Sequence, residues 1–160
     1  MAVDYFLELD GIEGESADKA HAKEIEVLAF SWGVANGGSP GPGGGGGGAG
    51  KPLFEDLLVV ARTSKASPRL VLACASGEHV KSAVLTCRRA GAAPVEFLTI
   101  TLDDVVVTSF EIDGGEEEPP TDQIALAFAK ARIAYTPVSK TGKPKPDVEI
   151  AWDLAQNAKA

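Results

Sequence analysis

The sequence predicts a mainly β protein: a two-sheet barrel or sandwich of about seven strands, with one short α-helix at about 68–76 and a long Gly-rich loop at 37–51. Three observations lead there. Apolar residues recur with period two along most of the chain, the spacing that puts alternate side chains on one face of a strand. A single segment carries both helix start and helix stop signals. Ten of the fourteen residues from Gly37 to Gly50 are glycine, six of them consecutive, and this tract lies between two strand-like segments.

In chain order, Tyr5, Leu7 and Leu9 share one face of the first strand. Glu24 to Gly33 places Leu28, Phe30 and Trp32 on one face and Ala29, Ser31 and Gly33 on the other. After the glycine tract, Leu53 to Thr63 is rich in Leu and Val. Ser67 is placed as a helix N-cap, Pro68 fits the first helical position and Gly77 the C-terminal stop. The helix between them is apolar nearly all round, and so few residues hold no helix alone in water. It must be packed on more than one side, by its own sheet or by a neighbouring subunit.

Ser82 to Arg89 alternates Ala83, Leu85 and Cys87 with polar or smaller residues. Pro94 to Phe110 sets Leu98, Ile100 and Leu102 opposite Thr99, Thr101 and Asp103, and Asp103-Asp104 interrupts it as a bulge or bend. Thr121 to Tyr135 begins with Ile124, Leu126 and Phe128 and then changes face to Ile133 and Tyr135. Val148, Ile150, Trp152 and Leu154 close the series. Strands that are apolar or small on both faces, notably Glu24 to Gly33 and Thr121 to Tyr135, point to surface that meets another copy, since an antiparallel sheet usually turns a polar face to water.

A chain of 160 residues fits one domain spanning 1–160. Its formal net charge of −8, with Lys and Arg scattered, argues against nucleic acid as a partner. Cys74 and Cys87 form neither a disulfide framework nor a metal-binding cluster, and read as reduced, mostly buried thiols. The acidic, strand-like start from Met1 to Asp10 has no secretory signal pattern. No apolar run reaches the ~18 residues of a membrane helix, so membrane insertion is not expected.

The chemistry-bearing motifs are weak. Gly45-x4-Gly50-Lys51 resembles a phosphate loop, but Pro52 stands where Ser or Thr would hold magnesium, and a strand follows where a helix is needed. Ser31 sits in continuous strand alternation, unlike a nucleophile elbow. His21 precedes a strand, and His79 follows the helix stop, where an imidazole binds carbonyls. Glu116 to Glu118, beside Asp113, lacks calcium-loop spacing and reads as a solvated turn. Asp103 and Asp104 are neighbours on a strand and point to opposite faces. No catalytic constellation, cofactor site or metal site is assigned, and the chain is not read as an enzyme.

Several stretches together resemble the hemolysin-coregulated protein (Hcp) family, the tube proteins of type VI secretion. They are Asp4 to Ser16, His21 with Glu24-Ile25-Glu26-Val27-Leu28, Ser31-Trp32-Gly33, and the glycine tract with Gly50-Lys51. Lys65 to Pro68, Ala73 to His79, Leu85-Thr86, Glu96 to Ile100, Phe128-Ala129 and Trp152-Asp153-Leu154 complete the match from end to end. The Pro-bearing start of the tract, Ser39 to Pro42, and the acidic turn Glu116 to Glu118 are departures from the family pattern.

The resemblance implies a barrel-like protomer that forms homohexameric rings. These stack into a tube that is expelled by a contractile sheath behind a spike and holds effector proteins in its lumen. It further implies synthesis in the cytoplasm, secretion by the type VI route, and neither cofactor nor catalysis. On this reading Gly37, Ser39, Pro40, Gly41, Pro42, Gly50 and Lys51 belong to a loop that stacks rings. Ser31 and the turn Asp113-Gly114-Gly115 are candidates for contact with effectors in the lumen. The rival class is a monomeric β-sandwich that binds a small ligand or peptide under a Gly-rich lid.

Overall fold

A computed structural model describes residues 2–38, 50–91, 93–137 and 148–160. The described residues hold eleven strands and one helix. In order they are β1 (Val3–Leu9), β2 (Ile25–Ser31), β3 (Val34–Asn36), β4 (Pro52–Phe54), β5 (Leu57–Arg62), α1 (Ser67–Ser76), β6 (His79–Arg89), β7 (Val95–Asp113), β8 (Thr121–Ala127), β9 (Lys130–Tyr135), β10 (Val148–Asp153) and β11 (Ala158–Lys159). Every pairing among them is antiparallel.

Six strands close into a barrel in the order β7-β6-β1-β2-β5-β8, with β8 pairing back onto β7. Closure leaves these six without a free edge. Strand β7 takes a different second partner along each half. Its first half, Leu98 to Asp103, pairs with β9, which carries β10 and β11 as a wing. Its second half, Val106 to Asp113, pairs with β8 and seals the barrel. Between the halves Asp104 takes φ 53°. The acidic interruption is therefore a bend at which the strand changes partner, without a shift in register against β6.

The barrel is filled by the alternating residues that periodicity marks. Leu7 and Leu9 from β1, Ala83 and Leu85 from β6, and Ile100 and Leu102 from β7 are buried together. Val59 from β5 with Ile124 and Leu126 from β8 completes this interior. Burying each Leu, Ile or Val of this set contributes about 1.5–3 kcal/mol. Helix α1 packs against β7 and buries Ser67, Leu70 and Ala73. It leaves Val71 and Leu72 exposed, so the protomer itself covers one side of the helix only.

Four sequence readings are corrected. The strand count rises from about seven to eleven because two long segments each break in two and the short strands β3 and β11 are added. Leu53 to Thr63 divides at Glu55-Asp56 into β4 and β5, which belong to different sheets. Thr121 to Tyr135 divides at Phe128-Ala129, where Ala129 N–H donates to Asp103 O at 2.9 Å, so the change of apolar face marks a turn. Leu28 does not share a face with Phe30 and Trp32, because the β2–β5 register shifts between Val27 and Ala29. That bulge turns Leu28 out to solvent while Phe30 and Trp32 pack on the core.

The helix also starts differently. Ala66 occupies the cap position with no side-chain cap, and Ser67 is already helical. The Ser67 hydroxyl accepts from Ser64 N–H and donates to the carboxyl of Asp122 on β8, so it ties the helix to the barrel and caps nothing. Gly77 ends the helix as expected, at φ 69° with its N–H on Ala73 O at 3.1 Å. His79 begins β6 and bonds Asp104 Oδ1 at 2.5 Å, instead of the helix carbonyls.

Candidate functional site

Residues paired across neighbouring strands project to the same face of a sheet. One row on the outer face of the barrel therefore runs Ser31 (β2), Leu58 (β5), Ala125 (β8), Ser109 (β7). The next row is Ala29, Val60, Gln123, Glu111, and a third runs Arg62, Thr121, Asp113. The intervening row, Phe30, Val59, Ile124 and Phe110, points inward and joins the core. The first two outer rows form a shallow trough of about 280 Å³, and the third row lies beside it. Its floor is apolar, with Leu58 half exposed at 50%. Its far side is polar, where Gln123 Nε2 donates to Asp113 Oδ2 at 2.6 Å.

The structure thus brings Ser31 and Asp113 onto one face of one sheet. Gly114 and Gly115 follow Asp113 directly as exposed residues of the hairpin turn between β7 and β8, and Glu116 to Glu118 are exposed in the same turn. Leu58, Gln123 and Glu111 escaped the sequence reading. Alternation marks them as outward residues, but only the register across four strands sets them beside Ser31.

Over β1 and β6 the outer face is covered. The segment from Glu13 to Glu24 folds back over β1 and β6 as a strap, closed by Gly14 N–H to Lys23 O at 2.7 Å and Ser16 N–H to Glu24 O at 3.0 Å. Gly14 is required by the close approach, since a Cβ there would lie 2.5 Å from Glu24 O. Beneath the strap Phe6 is sandwiched. The His21 ring stacks on it at 4.3 Å, and the Arg88 guanidinium lies 4.8 Å from its centroid. Arg88 grips Asp18 with two bonds, of 2.9 and 2.6 Å, and reaches Asp4 at 3.2 Å. His21 bonds Glu24 through Nδ1 and Glu96 through Nε2, the latter at 2.7 Å.

The electrostatics follow from these contacts. The hydrogen bonds from Arg88 hold the Asp18 carboxyl well below the usual carboxylate range, and Asp18 raises Arg88 in return. Burial raises Glu24 against the opposing pull of His21. Burial also pushes the Cys87 thiol up to about 11, so it stays protonated, whereas Cys74 is only partly covered. The sequence placed His21 before a strand but did not reveal this cluster, whose members lie up to 84 positions apart.

The base of the glycine tract sits on a separate two-stranded ribbon, β3 against β4. Gly37, Gly50 and Lys51 lie at its end, where Asn36 Nδ2 donates to Gly50 O at 2.9 Å and Asn36 Oδ1 accepts from Gly38 N–H at 2.8 Å. One asparagine therefore pinches the two ends of the tract together. Ser39, Pro40, Gly41 and Pro42 lie outside the described residues. The ribbon is anchored by an aromatic knot of Trp32, Phe54 and Phe128, with centroids about 6 Å apart. It leaves Val34 and Leu53 exposed. Among the described residues, no helix is long and apolar enough to cross a membrane, and no group of three His, Cys, Asp or Glu is arranged to hold a metal ion.

Comparison with known proteins gives a consistent result. The model of the family described as "Type VI secretion system effector, Hcp" matches residues 6–135. Protein hcp1 of Pseudomonas aeruginosa is 44% identical over the whole of both chains. A solved structure described as that of a type six secretion system protein superposes with a TM-score of 0.93 at 29% identity, covering 99% of this chain and 100% of that one. Hcp1 from Salmonella typhimurium superposes with a TM-score of 0.80 at 30% identity over the full length of both.

Proposed function

Because the chain belongs to the Hcp family of type VI secretion proteins, we propose that it is the subunit of the type VI inner tube, in which six copies close a ring and rings stack around a bore that carries effectors. The observation that carries this reading is the amount of large apolar surface the protomer leaves uncovered in three separate places. Val148 and Ile150 on the wing are 65% and 60% exposed, Leu72 on α1 is 63% exposed, and Leu53 on the ribbon is 69% exposed. Each belongs to a group, Val148 with Ile150, Leu72 with Val71, and Leu53 with Val34 on the paired strand, and grouped apolar surface marks contact with another protein. A head-to-tail ring needs two unlike patches on each copy, which one self-complementary face could not supply. The sheath, the spike and the effectors are the further partners, and the protein is made in the cytoplasm and leaves by the type VI route.

Native mass spectrometry tests the assembly: a particle of six chains is expected, and a single chain would favour the ligand-binding sandwich with a lid. In the ring the trough with Ser31 faces the bore. Ser31→Gln adds bulk to its outer row without touching the core, so it is expected to lower effector retention about tenfold or more while rings of unchanged mass persist. Unchanged effector levels would argue against a position in the bore.

The glycine tract is the arm to the next ring. Ordering such backbone is entropically costly, and contacts with a neighbouring ring offset that cost. Deleting Gly43 to Gly48 should leave soluble rings and impair tube growth, as read by electron microscopy. Tubes of normal length after the deletion would sink the arm.

A further inference from the structure

We infer that the trough selects cargo with a basic surface, an inference that rests on the reading of this face as the wall of the bore. Its floor, around Leu58, is apolar and indifferent to charge. Its polar side is not. Glu111 and Asp113 stand on the outward rows of β7, and the hairpin that continues from Asp113 exposes Glu116, Glu117 and Glu118. Glu111 thus lines the trough, Asp113 stands on the row beside it and three more carboxylates follow in the hairpin, while Arg62 is the one cation in the three rows. The nearest polar contact, from Gln123 to Asp113, is with a neutral amide and leaves the charge of Asp113 uncompensated.

Closing a ring would repeat this acidic border around one axis. Like charges lining a concave, low-dielectric wall reinforce one another, concentrate cations and repel anions. Complementary charge of this kind acts on partner choice and on rate of entry. Cargo with lysines and arginines on its surface gains on approach, while acidic cargo meets repulsion that the apolar floor does not offset. The strap cluster does not change this balance, because Arg88 is already consumed by Asp18 and Asp4.

The test uses purified wild-type rings of verified mass and two probes: a basic and an acidic surface-charge variant of one small globular protein. Co-elution with the rings is expected to favour the basic probe about tenfold at low salt, and the preference should vanish at high salt as exposed charges are screened. The Glu111→Gln/Asp113→Asn variant should shrink the preference to about twofold or less, and a Glu116→Gln/Glu117→Gln/Glu118→Gln variant should weaken it independently. These side chains are exposed, and ring mass reports any failure to assemble. Intact rings that hold both probes alike or hold neither overturn the charge inference alone, as does a preference that survives both variants. Failure of wild-type chains to form rings overturns the tube reading beneath it.

Discussion

Arg88→Ala is expected to lower stability by about 1–2 kcal/mol, the scale for hydrogen bonds to charged groups, since Asp18 and Asp4 both keep access to solvent. The guanidinium is 9% exposed and makes three hydrogen bonds to two carboxylates while lying over Phe6. Its loss leaves Asp18 with only the backbone N–H groups of Ala20 and His21, uncovers one face of Phe6 and releases the strap from β6. Arg88→Lys should recover only part of the loss, since an ammonium cannot make the two-pronged contact with Asp18. The effect should depend on pH with a definite sign. The folded-state pKa of Asp18 is depressed, so its stabilisation is present above the ordinary carboxylate range and fades as pH falls toward the folded pKa. Glu24 is raised by burial, so its contribution has the opposite sign: present in acid and lost as pH rises through its folded pKa. Because the variant removes the first contribution and spares the second, the gap between wild type and variant should widen from acid to neutral pH. Urea unfolding across that range reads it. A gap that is constant with pH, or a total loss below about 1 kcal/mol, would show that the Asp18 contact is not what holds the strap.

How much of this was legible in the chain depends on the range of the interaction. Leu7 with Leu9, Ala83 with Leu85, and Ile100 with Leu102 were each placed on one face of their strand by period-two alternation, because a strand fixes the side of each residue locally, and all six are buried. Gly77 was legible for the same reason: a left-handed helix stop is a property of one residue. Leu28 was misplaced because a bulge inserts one residue and shifts every later face, and no local pattern announces it. The breaks at Glu55-Asp56 and Phe128-Ala129 were hidden by β-formers on either side, and only the sheet to which each half belongs reveals them. The trough lies at the far end of this scale. Ser31 and Asp113 could be named separately, but setting them on one face with Leu58 and Gln123 takes four strands in register. The strap cluster was beyond reach, since Arg88 meets Asp18 across 70 positions and nothing near either residue indicates the partner.

Asp122→Ala is expected to cost about 3 kcal/mol and to loosen α1 before the rest of the barrel. Asp122 is 1% exposed, at the start of β8, and its carboxyl accepts from two hydroxyls, Thr63 Oγ1 at 2.7 Å and Ser67 Oγ. Both donors lie on the segment that leads from β5 into the helix, so one side chain holds the helix start against the barrel. Truncation leaves Thr63 and Ser67 without an acceptor, and each buried group left unpaired costs about 1–3 kcal/mol. Asp122→Asn separates shape from acceptor number. The amide fills the same space but offers one acceptor oxygen where two hydroxyls donate, so about 1–2 kcal/mol should still be lost. Ser67→Ala should cost about 1 kcal/mol by itself, and in the double variant with Asp122→Ala the losses should fall short of additive by about 1 kcal/mol. Hydrogen exchange would localise the effect, with amides of Leu70 to Gly77 exchanging faster while those of β1 and β6 stay protected. Strict additivity, or uniform acceleration across the barrel, would mean that the helix is held by burial of Leu70 and Ala73 and that the Asp122 contact is incidental.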